Sequence, residues 1–253
     1  MRHKSLLKLM LGITGMLLQC LLYPGAANAA EAPTENLMVE STGAWLQAVG
    51  EGSMDSISPS LSKNARVWVE GQTRFNDNFN HWYQGMVRTA LGYSISDRAT
   101  IWAGYTWLPT QNLKFGTQTN GNYVAQQDVW PAFRYILPTD HGTFMFRTMW
   151  ETNFGVGSQV RERPRQMIKY TLPIGFDNKL SFITWDEVFV RVNNTDWGGR
   201  SGFDQNRGFA GFGWAFNKTV RTELGYMNQY LDDANHRNNY MYHLAMASVF
   251  VNF

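Results

Sequence analysis

Apolar and polar residues alternate with a period of two along most of the chain. In the stretch ARVWVEGQTRF, residues 65–75, Arg66, Glu70 and Arg74 fall on one side and apolar or small residues fall on the other. Successive side chains of a β-strand point to opposite faces. The stretch is therefore predicted to be a strand with one charged face and one apolar face.

The same alternation recurs along the rest of the chain. The further strand candidates are residues 82–93, 101–107, 129–137, 142–154, 159–172, 179–191, 207–216, 219–230 and 239–253. With the first stretch they make about ten strands, each long enough to cross an outer membrane at a tilt. Two candidates are less regular, because Asp186 and Glu187 are adjacent and because residues 209–216 are apolar on both faces.

The links between these strands differ in length at the two ends of the predicted sheet. The longer links include 109–125 and 192–206, and the links of the other set, such as 94–98 and 217–218, are uniformly short. This asymmetry is typical of transmembrane β-barrels. We therefore predict an all-β fold, a transmembrane antiparallel up-and-down β-barrel of about ten strands over residues 63–253, with both chain ends on the periplasmic side. The alternative is a periplasmic β-sandwich with the arginines on its exterior.

Residues 30–62 stand outside the ten-strand count. The stretch TGAWLQAVGEG at 42–52 has the alternation of an additional strand, which would make eleven or twelve strands. The other interpretation is an N-terminal extension. The sequence leaves both open.

The first 29 residues have the features of a secretory signal peptide. Basic residues precede an apolar run, and the small residues Ala27 and Ala29 mark a cleavage site. Cleavage would remove three of the 22 basic residues and none of the 20 acidic ones, so the basic balance does not indicate nucleic-acid binding. Cys20 is the only cysteine and lies in this segment, so the exported chain would hold no disulfide. Lipid attachment at Cys20 is the alternative, which the large residue Gln19 before it disfavours.

The charged faces of the predicted strands would line the barrel lumen. The lumen candidates are Arg66, Glu70, Arg74, Arg88, Arg134, Arg147, Glu151, Arg161, Arg163, Arg165, Lys169, Glu187, Arg221 and Glu223. Free cations in this set would attract anions, because charges that line a low-dielectric pore select by sign. Cations paired with the glutamates would instead fill a narrow lumen, and this second interpretation is favoured because buried charges need partners.

One long loop, residues 193–206, holds a second group of candidates. Asp196, Trp197, Arg200 and Asp204 could contact a glycan or an ion. The alternative is a loop that only covers the barrel mouth.

Several stretches together resemble a known bacterial family. They are RVWVEGQTR at 66–74, WDEVFVRVNNTDWGGRSGFDQNRGFAGFGW at 185–214, ELGYMNQY at 223–230 and the terminal VNF. The family is catalogued as domain of unknown function 2490, and its members are similar to outer-membrane β-barrels. The resemblance implies the outer membrane of a Gram-negative bacterium, with lipid and lipopolysaccharide as partners, and it carries no activity, catalytic residue, metal or cofactor. Phe253 also resembles the terminal aromatic residue that the barrel-assembly machinery recognises.

The predicted function is that of a structural barrel or small-solute channel with an arginine-rich lumen. The histidines outside the signal peptide are His81, His141, His236 and His243, and none carries a Ser-His or Asp-His signature. Two alternatives remain. One is a surface-exposed hydrolase that acts on lipid or peptide, and the other is a barrel that binds a glycan or ion through the 193–206 loop.

Overall fold

The structure is a closed β-barrel. It is a computed structural model, and it describes residues 37–111, 123–197, 199–232 and 238–253. The strands, in chain order from β1 to β11, are Leu37–Ser53, Ala65–Asn76, His81–Ser96, Ala99–Gln111, Tyr123–Pro138, Thr143–Phe154, Arg161–Gly175, Leu180–Arg191, Gly202–Ala215, Val220–Leu231 and Asn238–Asn252. The predicted signal peptide, residues 1–29, lies outside the described residues.

The predicted fold class is confirmed. Consecutive strands pair antiparallel from β1 to β11, and β11 pairs with β1 to close the barrel. The strand count is eleven, close to the predicted ten, because barrel strands begin at Leu37 and not at residue 63. The additional strand, β1, contains the 42–52 stretch. Its outer face holds small residues such as Ala44, Ala48 and Gly50, so its alternation is weak in the sequence.

An odd number of strands makes the closing pair parallel. Ala44 lies opposite Ala245, and Gly50 lies opposite Val251, with both strands running in the same direction. The start of β1 and the end of β11 therefore lie at opposite ends of the barrel. The expectation that both ends of the barrel chain lie together depended on an even count and is wrong for these strands.

The two ends of the barrel differ in their links. The turn end, where Phe253 lies, has the links 97–98, 139–142, 176–179 and 216–219 and also the longer link 54–64, which contains a 3₁₀ turn. The loop end has the links 77–80, 155–160 and 192–201. The predicted loop 193–206 extended too far, because Gly202 already pairs with Arg191 in the β8–β9 ladder.

The barrel is polar inside and apolar outside. Glu151 and Glu187 in the lumen are each 1% exposed, whereas Leu91 on the outer wall is 62% exposed. Alternation explains why the charged residues are buried and the apolar residues are exposed, because each strand sends every second side chain inward. No helix among the described residues has the length and apolar composition needed to cross a membrane.

Aromatic side chains pack beside the charges in the lumen. Trp68 meets Trp102 and Trp130 edge to face, with ring centroids 5.6 and 5.7 Å away. The Trp130 ring packs against the wall at Gly104, where an added Cβ atom would overlap the indole ring. Glycine at this position therefore lets a large ring fit inside a narrow barrel.

Candidate functional site

Glu151 is the centre of an ion-pair network in the lumen. Its carboxylate accepts hydrogen bonds from Arg163 Nη2 at 2.7 Å and from Arg165 Nη1 at 2.6 Å. Arg163 lies directly opposite Glu151 in the β6–β7 ladder, and Arg165 is the next inward residue of β7. Arg88 Nη2 approaches the same carboxylate to 3.8 Å from β3, on another part of the wall. The contact with Arg88 therefore crosses the lumen.

Arg165 links this centre to a second carboxylate. Its Nε and Nη2 atoms donate to Glu187 at 2.8 and 2.7 Å, and Arg147 Nη2 donates to Glu187 at 3.0 Å. Two-point binding of a guanidinium to a carboxylate is among the strongest polar contacts in proteins. The inward arginines of β7 thus lie between the carboxylates of β6 and β8.

Glu70 extends the network to β2. Its carboxylate accepts from Arg88 Nη1 at 3.3 Å and from the side-chain amides of Gln47 and Gln72 at 2.7 and 2.6 Å. These donors replace the water that a buried carboxylate loses. The network therefore runs continuously from Glu70 through Arg88, Glu151 and Arg165 to Glu187.

Two further ion pairs span the lumen near the turn end. Arg134 of β5 donates to both carboxylate oxygens of Glu51 on β1, each at 2.5 Å. Lys169 of β7 donates to Glu223 of β10 at 2.5 and 2.8 Å. Neither pair joins neighbouring strands. Both pairs therefore connect separate parts of the barrel wall.

The lumen is also filled toward the loop end. Asp204 accepts from Arg163 Nη1 at 2.9 Å and lies 3.5 Å from Arg191 Nη1. Arg161 Nε donates to Asn153 at 2.7 Å. The Phe189 ring, which is fully buried, packs against the guanidinium groups of this region. These contacts leave a tightly packed layer between the middle of the lumen and the loop end.

All fourteen predicted lumen residues lie on the inner face, where most of them join this network. Arg74 is bound by Gln72 and Gln84 and stacks over Trp45 at 3.8 Å. Arg66 reaches Glu51 at 3.3 Å, and Arg221 lies 3.8 Å from Glu223. The structure gives their placement, and their role in selecting solutes stays a prediction.

The loop candidates do not come together as one site. Asp196 accepts from the hydroxyl and the backbone N–H of Ser158, at 2.8 and 3.2 Å. These hydrogen bonds, led by the Ser158 hydroxyl, lower the pKa of Asp196 below its ordinary value. Asp204 lies in β9 inside the lumen. Arg200 is exposed.

Trp197 holds the same loop to the barrel. Its Nε1 donates to the carbonyl oxygen of Gln159 at 2.7 Å, and the Arg161 guanidinium lies 4.6 Å from its ring centroid. Asp196 and Trp197 therefore anchor the β8–β9 loop to the β6–β7 link. Binding of a glycan or ion by this loop stays a prediction.

The described histidines lie outside the lumen network. His81 Nδ1 is 3.0 Å from Asp77 Oδ2, within the β2–β3 hairpin at the loop end. His243 faces outward and contacts the Tyr226 hydroxyl at 2.5 Å. A base and its orienting carboxylate do not define a hydrolase without a positioned nucleophile. The hydrolase alternative therefore stays a prediction.

Sequence reasoning missed Arg207, which lies in the lumen wall on β9. Its guanidinium lies between the rings of Trp45 and Phe189, 4.8 and 4.6 Å from their centroids. Its Nε–H has no hydrogen-bond partner among the described residues. The nearby carboxylate that acts on its charge is Glu187, which bonds Arg165 and Arg147 instead. The apolar stretch after it obscured which face of β9 points inward. Arg207 lies two residues before Phe209 and so on the same face of β9, and this spacing was the signal that could have placed it in the lumen.

Glu51 was missed for a different reason. It lies in the segment that the sequence left open between strand and extension. Its alternation with Trp45, Gln47 and Val49 was the signal that could have placed it in the lumen.

A cavity of about 390 Å³ occupies the part of the lumen near the turn end. Its cationic lining residues are Arg88, Arg134, Arg147, Arg165, Lys169, Arg207 and Arg221, and its carboxylates are Glu51, Glu70, Glu187 and Glu223. Seven cations and four carboxylates line the cavity. Two of these cations, Arg88 and Arg165, also contact Glu151, so a positive excess of two remains when Glu151 is counted, seven cations against five carboxylates. At the turn end of the cavity, the Arg221 side chain is 41% exposed. Among the described residues, no group of three or more His, Cys, Asp or Glu side chains could hold a metal ion.

These features define a closed β-barrel with a charge-lined lumen and an apolar outer wall. The chain belongs to the family described as protein of unknown function (DUF2490), whose model matches residues 42–241. An uncharacterised protein of Methylorubrum extorquens is 25% identical over 211 residues, which cover 83% of this chain and 85% of the relative. No solved structure matches the chain significantly.

Proposed function

We propose that this protein is an outer-membrane β-barrel that binds small anionic solutes in the turn-end cavity of its lumen. The observation that carries the proposal is Arg207, a partly buried cation on the cavity wall without an ion-pair partner among the described residues. A charge that is removed from water without an ion-pair partner is costly unless a counter-ion neutralises it. A bound anion would supply that charge.

The donor groups around the cavity support this choice of ligand. Arg147, Arg207 and Arg221 all line the cavity, and the Nε–H of each has no hydrogen-bond partner in the part of the chain that the structure describes. Guanidinium groups match the geometry of carboxylate and phosphate oxygens. Phosphate and small dicarboxylates are therefore the expected classes of solute.

The outer wall supports the membrane location. Large apolar side chains such as Val69, Leu91, Ile101 and Leu224 are exposed on it. Strands of 12 to 17 residues are long enough to span the apolar layer of a membrane at the tilt of a barrel. A soluble protein would rarely expose an apolar surface of this extent.

The ion-pair network argues against a permanently open pore. A solute that passes the Glu151 layer must separate Arg163 or Arg165 from a buried carboxylate. Breaking a buried ion pair is strongly unfavourable. We expect solutes to bind from the turn end and to cross only if this layer rearranges.

Anion binding by the refolded barrel tests the proposal. Residues 30–253 would be refolded into phosphatidylcholine vesicles, with insertion checked by flotation, and titrated with inorganic phosphate and with succinate by calorimetry. We expect saturable binding that weakens at least tenfold in Arg207→Met. The control Arg98→Met changes an exposed turn residue and should leave binding unchanged.

Two results would overturn the proposal. One is an inserted wild-type barrel that binds neither anion. The other is equal binding by wild type and Arg207→Met, which would place the anion elsewhere.

A further inference from the structure

The outer wall of the barrel has two different faces. On β2 to β5, residues in the middle of the strands that point outward are mainly apolar, such as Val69, Leu91 and Ala103. On β6 to β11, every strand carries an outward polar residue near its middle or in its loop-end half. We call this set the polar stripe, and it consists of Thr148, Gln166, Asp186, Asn206, Tyr226, Asn228 and His243.

Alternation fixes the direction of these side chains. Asp186 precedes the buried Glu187 and is itself exposed, and Asn206 precedes the inward Arg207. Asp186 lies six residues from the start of β8 and five from its end. Asn206 lies four residues from the start of β9, and Asn228 lies three residues from the end of β10. The polar stripe therefore runs across the loop-end half of the outer wall, with Asp186 near the middle.

Most members of the polar stripe bond to one another in pairs. Asn206 Nδ2 donates to both Asp186 oxygens, at 3.1 and 2.9 Å. The Thr148 hydroxyl bonds Gln166, and the Tyr226 hydroxyl lies 2.5 Å from His243 Nδ1. One amide cannot satisfy a carboxylate, which offers about four acceptor positions. Asp186 therefore has acceptor capacity directed away from the barrel.

A surrounding of lipid would not meet this requirement. Acyl chains offer no hydrogen-bond partners at the middle of a membrane, and ionisable groups there usually face protein or water. Head groups lie near the ends of the strands and not at their centres. Another protein surface is the partner that brings polar groups to this depth.

The wall beside Asp186 is shaped for close approach. A groove runs along the outside over Gly208 and Ala210, with Ile168 on one side and Tyr226 on the other. A Cβ atom added at Gly208 would come no closer than 3.8 Å to the neighbouring side chain, Asp186. Small residues at such a surface let two membrane proteins approach closely.

We propose that the polar stripe and the groove form the interface with a second copy of this chain. The inference rests on the proposed membrane location. Two copies in the same membrane orientation, related by a twofold axis parallel to the barrel axis, meet with equivalent residues at equal depth. An axis between β8 and β9 sets Asp186 opposite Asn206 of the partner subunit. The polar stripe is then complementary to itself, because it holds both the acceptor and the amide donor.

Cysteine cross-linking tests the interface directly, because the predicted exported chain has no cysteine of its own. Residues 30–253 carrying Ala210→Cys would be inserted into phosphatidylcholine vesicles and oxidised at decreasing protein-to-lipid ratios. The matched control is Ala103→Cys, which is exposed on the outer wall of β4, away from the polar stripe. We expect a covalent dimer at position 210 that persists on dilution, and no dimer at position 103.

A second pair of variants separates a protein partner from lipid. Asp186→Leu should weaken self-association at least tenfold in a fluorescence-transfer measurement, whereas Thr89→Leu on the outer wall of β3 should not. An inserted barrel that stays monomeric at all ratios would overturn the proposal and leave lipid or another protein as the occupant. An Asp186→Leu variant that associates as strongly as wild type would also overturn it. Failure of flotation would instead overturn the membrane location on which the proposal rests.

Discussion

Arg88 of β3 and Glu151 of β6 meet across the lumen, with 3.8 Å between Nη2 and Oε1. Two intervening strands separate them along the wall. The pair is therefore a contact across the lumen and not a cross-strand pair between neighbouring strands. The Glu151 carboxylate also binds Arg163 and Arg165, so a single side chain connects three cations.

Removing the charge of Glu151 should strongly destabilise the barrel. In Glu151→Gln, the two arginines of β7 lose a shared buried counter-charge, which is expected to cost about 3 to 5 kcal/mol. Urea unfolding in vesicles measures the free energy. Asp140→Asn, in an exposed turn, is the control and should change it by less than about 0.5 kcal/mol. A loss below about 1 kcal/mol in Glu151→Gln would show that the network does not hold the lumen together.

Removing the charge of Arg207 should have the opposite effect on the empty barrel. Arg207→Met replaces a partly buried cation without an ion pair by an apolar side chain between two rings, so the free energy of unfolding should rise by about 1 kcal/mol. Phosphate should stabilise the wild type and not the variant, because a ligand stabilises only the state that binds it. Unfolding with and without phosphate measures both effects. A less stable variant without phosphate would mean that the guanidinium is already satisfied.

The space at Gly104 should be essential to the tryptophan packing. Gly104→Ala places a Cβ atom inside the Trp130 ring position, so the indole must move, at a cost of about 1 to 3 kcal/mol. Gly71→Ala is the matched control, because no atom lies within 4 Å of its added Cβ. Near-ultraviolet circular dichroism should change for Gly104→Ala only. Identical spectra for the two variants would contradict the described packing.

The contact between Asp196 of the β8–β9 loop and Ser158 should weaken at acidic pH. The folded-state pKa of Asp196 is lowered, so its contact with Ser158 is fully present above the ordinary aspartate pKa and is lost as the pH falls through the lowered value. Trp197 fluorescence should report the change. Ser158→Ala removes the strongest donor and should move the midpoint toward higher pH. An unchanged midpoint would show that the backbone amides alone hold the carboxylate.

Alternation predicted the barrel and the inward direction of the arginines, because a period of two assigns each residue to one of two faces. It assigned Arg163 and Arg165 to the lumen for this reason. It could not predict that Arg134 meets Glu51, because that contact depends on strands that are distant along the wall. It missed Arg207, because residues 209–216 are apolar on both faces and so do not show the direction of the strand.

The period of two also could not predict the eleventh strand, β1, or its parallel pairing with β11. The alternation of Leu37–Ser53 is weak where small residues face outward. Closure of the barrel requires a partner for both β11 and β2, and β1 supplies both. Without β1, strands β2 and β11 could pair with each other, so counting sheet edges does not separate ten strands from eleven.

Planar-bilayer conductance of residues 30–253 tests the closed, cation-rich lumen most directly. We predict no steady current from the inserted wild-type barrel, because Glu151, Arg163 and Arg165 fill its middle. The double variant Glu151→Ala with Arg163→Ala removes two of these side chains, and reversal potentials in a salt gradient should then show a preference for anions. Stable current steps from the wild type, or a cation preference in the opened variant, would contradict the account.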